Sequence, residues 1–167
     1  MPIFQISVDV VSSIQNILRH TITKRVPNSR AIYECFDRSH ECQAIGVVKF
    51  PERKKVSKKP FKGFVEILFL ASHPANIRGD GAKQLPNRVH GAAMCVIKKI
   101  AFDCVQKKLQ GIYLWTMGVS AGFYLKSGFE FYFQDDLDHF HSFDPQENLK
   151  EYVMCLTGEK LKILGKT

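Results

Sequence analysis

Phe64-Val65-Glu66-Ile67-Leu68-Phe69-Leu70-Ala71 is a dense apolar run that carries a single carboxylate. Its length, bounded by Gly63 before and a Gly/Pro/Asn-containing loop after, reads as a central strand buried on both faces. A glycine turn, Arg88-Val89-His90-Gly91-Ala92-Ala93, then opens a helix-patterned segment to about Leu109. Ile112-Tyr113-Leu114-Trp115-Thr116 follows as a second strand, predicted parallel to the first through a right-handed crossover. Ser120 to Phe129 supplies a short helix, from Phe123 to Lys126, and leads into another strand. Strand, helix start, strand, short helix with a tyrosine, strand: the order suggests a nucleotide-type cofactor held at a helix N-terminus.

Outward from this centre the elements are simpler. Ala31–Phe36 and residues 43–50 alternate as two strands, and the short polar link between them predicts antiparallel neighbours. Ile3–Val11 reads as a first strand, and Ser12 or Ser13 would cap a short helix ending before Pro27. In the long helix, Val89, Ala93, Val96, Ile97, Ile100, Ala101 and Cys104 form one apolar stripe, and Gly111 is read as its terminator. Residues 129–133 alternate as a strand, residues 134–148 read as an acidic loop, and Glu151–Thr157 reads as a last, antiparallel strand. There is no internal repeat and no second domain, so residues 1–167 are expected to form one domain with a real core.

The net charge is +8, much of it in the run from Pro51 to Lys62. That run is either a solvated loop or a lure for an acidic partner. Beyond Phe61 no aromatic residues are interleaved with it, which argues against nucleic acid. No apolar run approaches the roughly 20 residues of a membrane helix. The N-terminus lacks a basic start followed by an apolar core, so the expected compartment is the cytoplasm, without membrane attachment. The five cysteines are odd in number and lack metal spacing, and they fit buried, reduced thiols. His139 and His141 lack the partners that zinc would need, so no metal is expected.

A carboxylate inside an apolar strand must be desolvated, hydrogen-bonded or turned toward a cavity. Desolvation would raise the pKa of Glu66 toward the range of a general base. The alternative is a glutamate at a solvated strand end, paired with a lysine of the basic loop.

At this point the chain resembles the GNAT superfamily of N-acetyltransferases, over roughly residues 30–157. The family's pyrophosphate motif, Gln/Arg-x-x-Gly-x-Gly/Ala, is met by Arg88 to Ala93. Its later block is met by Phe123-Tyr124-Leu125-Lys126-Ser127-Gly128-Phe129. A competing phosphate loop, Asn76-Ile77-Arg78-Gly79-Asp80-Gly81, would leave Pro86 inside the helix at a cost of about 3 kcal/mol or more, so the Arg88 register is preferred. His73, Arg78 and Lys83, in the long loop, would then help hold phosphates or close over them.

The resemblance implies an α/β (α+β) fold: a mixed, mostly antiparallel sheet of six to seven strands flanked by helices, with splayed parallel central strands. It implies acetyl transfer from acetyl-CoA to a primary amine, on a small molecule or a protein, by direct attack. Arg88, Val89, His90, Gly91, Ala92 and Ala93 would hold the pyrophosphate, aided by Lys126. Leu70, Ala71 and Ser72 would line the pantetheine, with the Leu70 N–H polarising the thioester carbonyl. Glu66 would act as general base and Tyr124 as general acid, with Ser120 a weaker candidate. Tyr124 also reads as a packed aromatic beside Phe123. A noncatalytic acyl-CoA-binding sensor is the alternative, and a monomer or homodimer fits either. The acceptor is not legible: the basic loop favours an acidic one, and residues 135–147 favour a cationic amine. The first 30 residues depart from the family's usual two-helix insertion, which further separates acceptor identity from analogy.

Overall fold

A computed structural model describes residues 29–36, 41–51, 61–73, 91–144 and 148–166. The first strand and helix expected before residue 28, the competing Gly79 loop and most of the basic run lie outside these residues. So do Arg88, Val89 and His90, along with Arg78 and Lys83.

Among the described residues six strands form one sheet: β1 (Arg30–Phe36), β2 (Cys42–Lys49), β3 (Phe64–Ser72), β4 (Gly111–Met117), β5 (Glu130–Phe131) and β6 (Glu151–Thr157). Their spatial order is β1-β2-β3-β4-β6-β5. All neighbours are antiparallel except β3 and β4, which run parallel. The helices among the described residues are α1 (Ala92–Gln106), α2 (Gly118–Lys126), α3 (Gln134–Ser142) and α4 (Gly158–Leu164). This is the mixed, mostly antiparallel α/β fold read from the sequence.

The core lies on one face of the sheet. Val48, Val65, Ile67, Ile112, Leu114, Met154 and Leu156 project from the strands into it. Helix α1 buries Ala92, Val96, Ile97, Ile100, Ala101 and Cys104 against them, close to the predicted stripe, with Ala92 taking the buried place expected for Ala93. The packing is tight at Gly46, where a Cβ would lie 2.7 Å from Val96 Cγ1. Helix α4 packs on α1 and β6, and its position was not foreseen.

Five expectations are corrected. The Phe64 strand is buried on one face only: Val65 and Ile67 are buried, but Leu68 is 43% exposed. Gly111 does not end the helix. The chain reverses at Lys108, which holds φ 54°, and Gly111 opens β4, where a Cβ would sit 2.8 Å from the Leu156 carbonyl oxygen. Helix α2 starts five residues before Phe123, directly from β4. The acidic stretch is helical over Gln134–Ser142, and only Glu130–Phe131 of residues 129–133 is strand. Asp135 and Asp136 occupy the first turn of α3 and His139 and His141 the last, an arrangement that complements the helix dipole.

Candidate active site at a strand fork

The parallel pairing of β3 with β4 runs from Phe64–Gly111 to Ile67–Leu114 and stops there. Both strands continue, β3 beside β2 as far as Ser72–Ala44 and β4 beside β6 as far as Met117–Glu151. A gap therefore opens between two strands that each remain fixed on their outer side. The register supplies the cause. Val48 pairs with Ile67 and Val47 with Phe69, leaving Leu68 as an extra residue in β3. Such a bulge bends its strand and increases the local twist. It also sets Leu68 and Phe69 on the same side, so the apolar run conceals the period of two.

Beyond the bulge, backbone direction follows from one hydrogen bond. The His73 N–H donates to the Gln43 carbonyl at 2.8 Å. In an antiparallel ladder, hydrogen-bonded pairs alternate with pairs whose polar groups point away. Phe69 and Ala71 thus bond toward β2, and Leu70 and Ser72 turn their N–H and C=O groups toward the gap. The Leu70 side chain packs on the core opposite Gly46.

The start of α1 lies at the same end of the sheet. Val96, just past its first turn, lies against Gly46, with its Cγ1 2.7 Å from where a Cβ would be, and Gly46 pairs with Leu70 near the end of β3. Gly91 precedes the helix with φ 80°, a left-handed conformation that favours glycine. The first helical bond is Cys95 N–H to the Gly91 carbonyl, at 2.9 Å. The N–H groups of Ala92, Ala93 and Met94 therefore have no acceptor within the helix. No acidic side chain occupies the first turn and, among the described residues, no side chain caps it, so the positive end of the dipole is kept.

Glu66 stands one residue before the fork, half-buried, on the face opposite the core. It pairs laterally with Tyr113 across the parallel ladder. Burial first, and then Glu66, push the Tyr113 phenol well above its ordinary range. Phe61 stacks on Tyr113 at 4.2 Å between ring centroids. Tyr124 packs on Phe129 and the core cluster, on the other face. Burial pushes its phenol up to about 12. Glu66 and Tyr124 are not neighbours: they flank the sheet from opposite sides, and the gap past Ile67 and Leu114 is the opening between the two faces. Lys126 is exposed in the last turn of α2, and Ser120 is exposed in its first.

Three residues around this site escaped the sequence reading. Tyr113 is one. Trp115, 60% exposed on β4 just past the fork, is another, and strict alternation in β4 places it on the same side as Tyr113. The third is Asn148, buried against the start of α2, where a Cβ on Gly118 would come within 2.5 Å of it. Nothing local in the sequence marks that contact.

Among the described residues no group of three or more His, Cys, Asp or Glu is placed to hold a metal, and no helix is long and apolar enough to cross a membrane. No family model matches the sequence, and no curated protein matches it. Solved structures do. An acetyltransferase of the GNAT family from Staphylococcus aureus is 15% identical, with 87% of this chain and 78% of that one covered at TM-score 0.51. The ribosomal-protein-S18-alanine N-acetyltransferase of Escherichia coli is 10% identical, with 92% and 93% covered at 0.53. The spermidine N-acetyltransferase of Vibrio cholerae, solved with CoA and spermine, is 14% identical, with 93% and 78% covered at 0.52. The chain has the fold of the GNAT acetyltransferases.

Proposed function

We propose, from that fold and the fork within it, that the protein is an N-acetyltransferase that moves an acetyl group from acetyl-CoA to a primary amine. The observation that carries this reading is the coincidence of three features at one end of the sheet. These are parted parallel strands, outward-turned backbone groups at Leu70 and Ser72, and an uncompensated helix start at Gly91–Ala92. Arg88, Val89, His90, Gly91, Ala92 and Ala93 hold the pyrophosphate, with N–H groups and positive dipole meeting the anion. Lys126 adds charge. Leu70, Ala71 and Ser72 border the pantetheine, and the Leu70 N–H stabilises charge developing on the thioester oxygen.

Glu66 takes the proton that leaves the attacking amine, directly or through water. Tyr124 meets the departing sulfur. A phenol at about 12 lies roughly 3–4 units above a free thiol, so full proton transfer to a thiolate is uphill by about 5 kcal/mol. Tyr124 therefore serves first as a hydrogen-bond donor, with the proton released by the amine restoring the thiol. The five free cysteines fit work in a reducing compartment, the cytoplasm.

A second reading, a noncatalytic acyl-CoA-binding module, is favoured by one observation: Glu66 stands beside Tyr113 in the sheet, a neighbour whose phenol it affects. Calorimetric binding of acetyl-CoA, followed by release of free thiol with a panel of small amines and lysine peptides, separates the two. Turnover supports transfer, binding without turnover selects the module, and absence of binding removes both.

A further inference from the structure

The face of the sheet opposite the core carries several aromatic rings, and one of them stands apart. Phe61 stacks on Tyr113 at 4.2 Å and meets Tyr132 at 4.7 Å between ring centroids, so these three rings hold one another. Trp115, the next residue of β4 on that face, is 60% exposed, and among the described residues no ring packs on it. A large indole left in water beside an opening calls for a partner. Register sets two carboxylates beside it. Glu66 pairs with Tyr113, Glu151 pairs with Met117, and Trp115 lies between these two rows. Each carboxylate is thus one row and one strand from the indole, about 8 Å between Cα atoms. The chain carries a net charge of +8, but this part of the face has the opposite sign. Arg30 and Lys49 share the row of Glu66, on its side away from β4, and Lys160 is paired with Glu130 at the other end of that row. Beyond the row, the strand positions on this face hold Glu34 and Glu151 and no lysine or arginine.

We propose that Trp115 and Glu151 form an acceptor subsite, which takes a second cationic centre of the amine being acetylated. The inference rests on the transfer reading and names its substrate class, dicationic amines. A tryptophan ring face attracts a cation held within about 6 Å of its centroid, and a carboxylate facing the same cation adds a charge-assisted contact. The pairing of β3 with β4 ends at Ile67–Leu114, one residue before Trp115, so the indole stands at the edge of the opening. With the reacting nitrogen at Glu66, an ammonium roughly 8 Å along the acceptor reaches the indole face and meets Glu151. A monoamine of the same length puts its methyl end there and gains neither attraction.

Trp115 is the one tryptophan of the chain, so its emission reports on this position alone. The full-length protein, without acetyl-CoA, is titrated at neutral pH with hexamethylenediamine, whose spacer is of about that length. Hexylamine and hexanediol are the singly charged and uncharged controls. The expected result is a saturable change in emission with the diamine, at a Kd about 10-fold or more below that of hexylamine, and no saturable change with the diol. Glu151→Gln, a change at an exposed position, brings the Kd of the diamine to within about 3-fold of that of hexylamine. Calorimetry with Trp115→Leu shows diamine binding weakened about 10-fold or more. Should that variant melt lower than the wild type, the Glu151→Gln titration decides. Equal affinity for diamine and monoamine, a diol that binds as tightly, or an emission unchanged where calorimetry shows the diamine bound each overturns the subsite. The transfer reading fails separately: selective diamine binding, with no acetyl-CoA-dependent release of thiol from any amine, sinks the reaction and leaves a cation-binding site.

Discussion

Asn148 donates its side-chain amide to the Tyr152 hydroxyl at 2.6 Å, and both residues are buried. The same hydroxyl meets His139 Nδ1 at 2.8 Å, and the Asn148 side-chain oxygen accepts from the Lys150 N–H at 3.1 Å. One phenol thus joins helix α3, strand β6 and the segment packed beneath the start of α2. Tyr152→Phe removes the acceptor of a buried amide. The expected loss is about 1–3 kcal/mol, read as a lower urea midpoint with an unchanged slope.

Gly118, at the junction of β4 and α2, is closed against the same asparagine: a Cβ would lie 2.5 Å from its carbonyl oxygen. Gly118→Ala is expected to destabilise by about 1–3 kcal/mol. Gly122, one turn later in α2, has nothing within 4 Å of the added carbon. Gly122→Ala should instead be neutral or stabilising by up to about 1 kcal/mol, since alanine is the better helix former. Thermal melts of the pair check the contrast.

Asp103 on α1 accepts from the Tyr33 hydroxyl on β1 at 2.8 Å and pairs with Lys99 at 2.9 Å. Burial works to raise its pKa, but the bonds from Lys99 and Tyr33 outweigh it and hold the carboxyl below its usual value. A folded-state pKa below the unfolded one gives stability that is present above the ordinary carboxylate range and is lost as pH falls through the folded value. The Tyr33 phenol is raised, by burial and then by Asp103, so its contribution is present below about pH 10 and is lost at higher pH. Denaturant midpoints from pH 7 to pH 3 should therefore fall more steeply for the wild type than for Asp103→Asn.

Glu66 and Tyr124 carry separable expectations under the proposed transfer reaction. Tyr124→Phe should lower kcat about 10- to 1000-fold with little change in acetyl-CoA affinity, within the usual range for a lost proton donor or oxyanion contact. Glu66→Gln should cost about 100-fold or more near neutrality. That deficit should shrink as pH rises toward the ordinary amine pKa of about 10, where the acceptor needs no base. A deficit that stays constant with pH would assign Glu66 to holding Tyr113 rather than to proton transfer.

Much of this architecture is legible in local sequence, because it rests on periodicity and on glycine. The stripe Val96, Ile97, Ile100, Ala101 and Cys104 names the buried face of α1, and Gly91 marks its start. What escapes depends on partners distant in sequence. Gly111 looks like a helix terminator until Leu156 is placed beside it. The aspartates of α3 look like loop residues until Phe140 and Asp136 are seen to be buried, with Asp136 paired to Lys150 at 2.8 Å. For the candidate site, the sequence offers Glu66, Gly91 and Tyr124 and their order along the chain, and their roles stand as proposals. The relation between Glu66 and Tyr124 was not legible, since opposite faces of a sheet are defined only once the strands are in register.

The extra residue at Leu68 also separates two kinds of constraint on evolution. Leu68 is 43% exposed, so packing constrains its identity little, whereas the register, Val48 opposite Ile67 and Val47 opposite Phe69, depends on a residue being there. Deleting it is expected to keep both pairs in step with β2 while the strand straightens and runs on beside β4. Single-residue deletions are ordinarily absorbed in loops; this one, inside a strand, is expected to cost the opening and spare the fold.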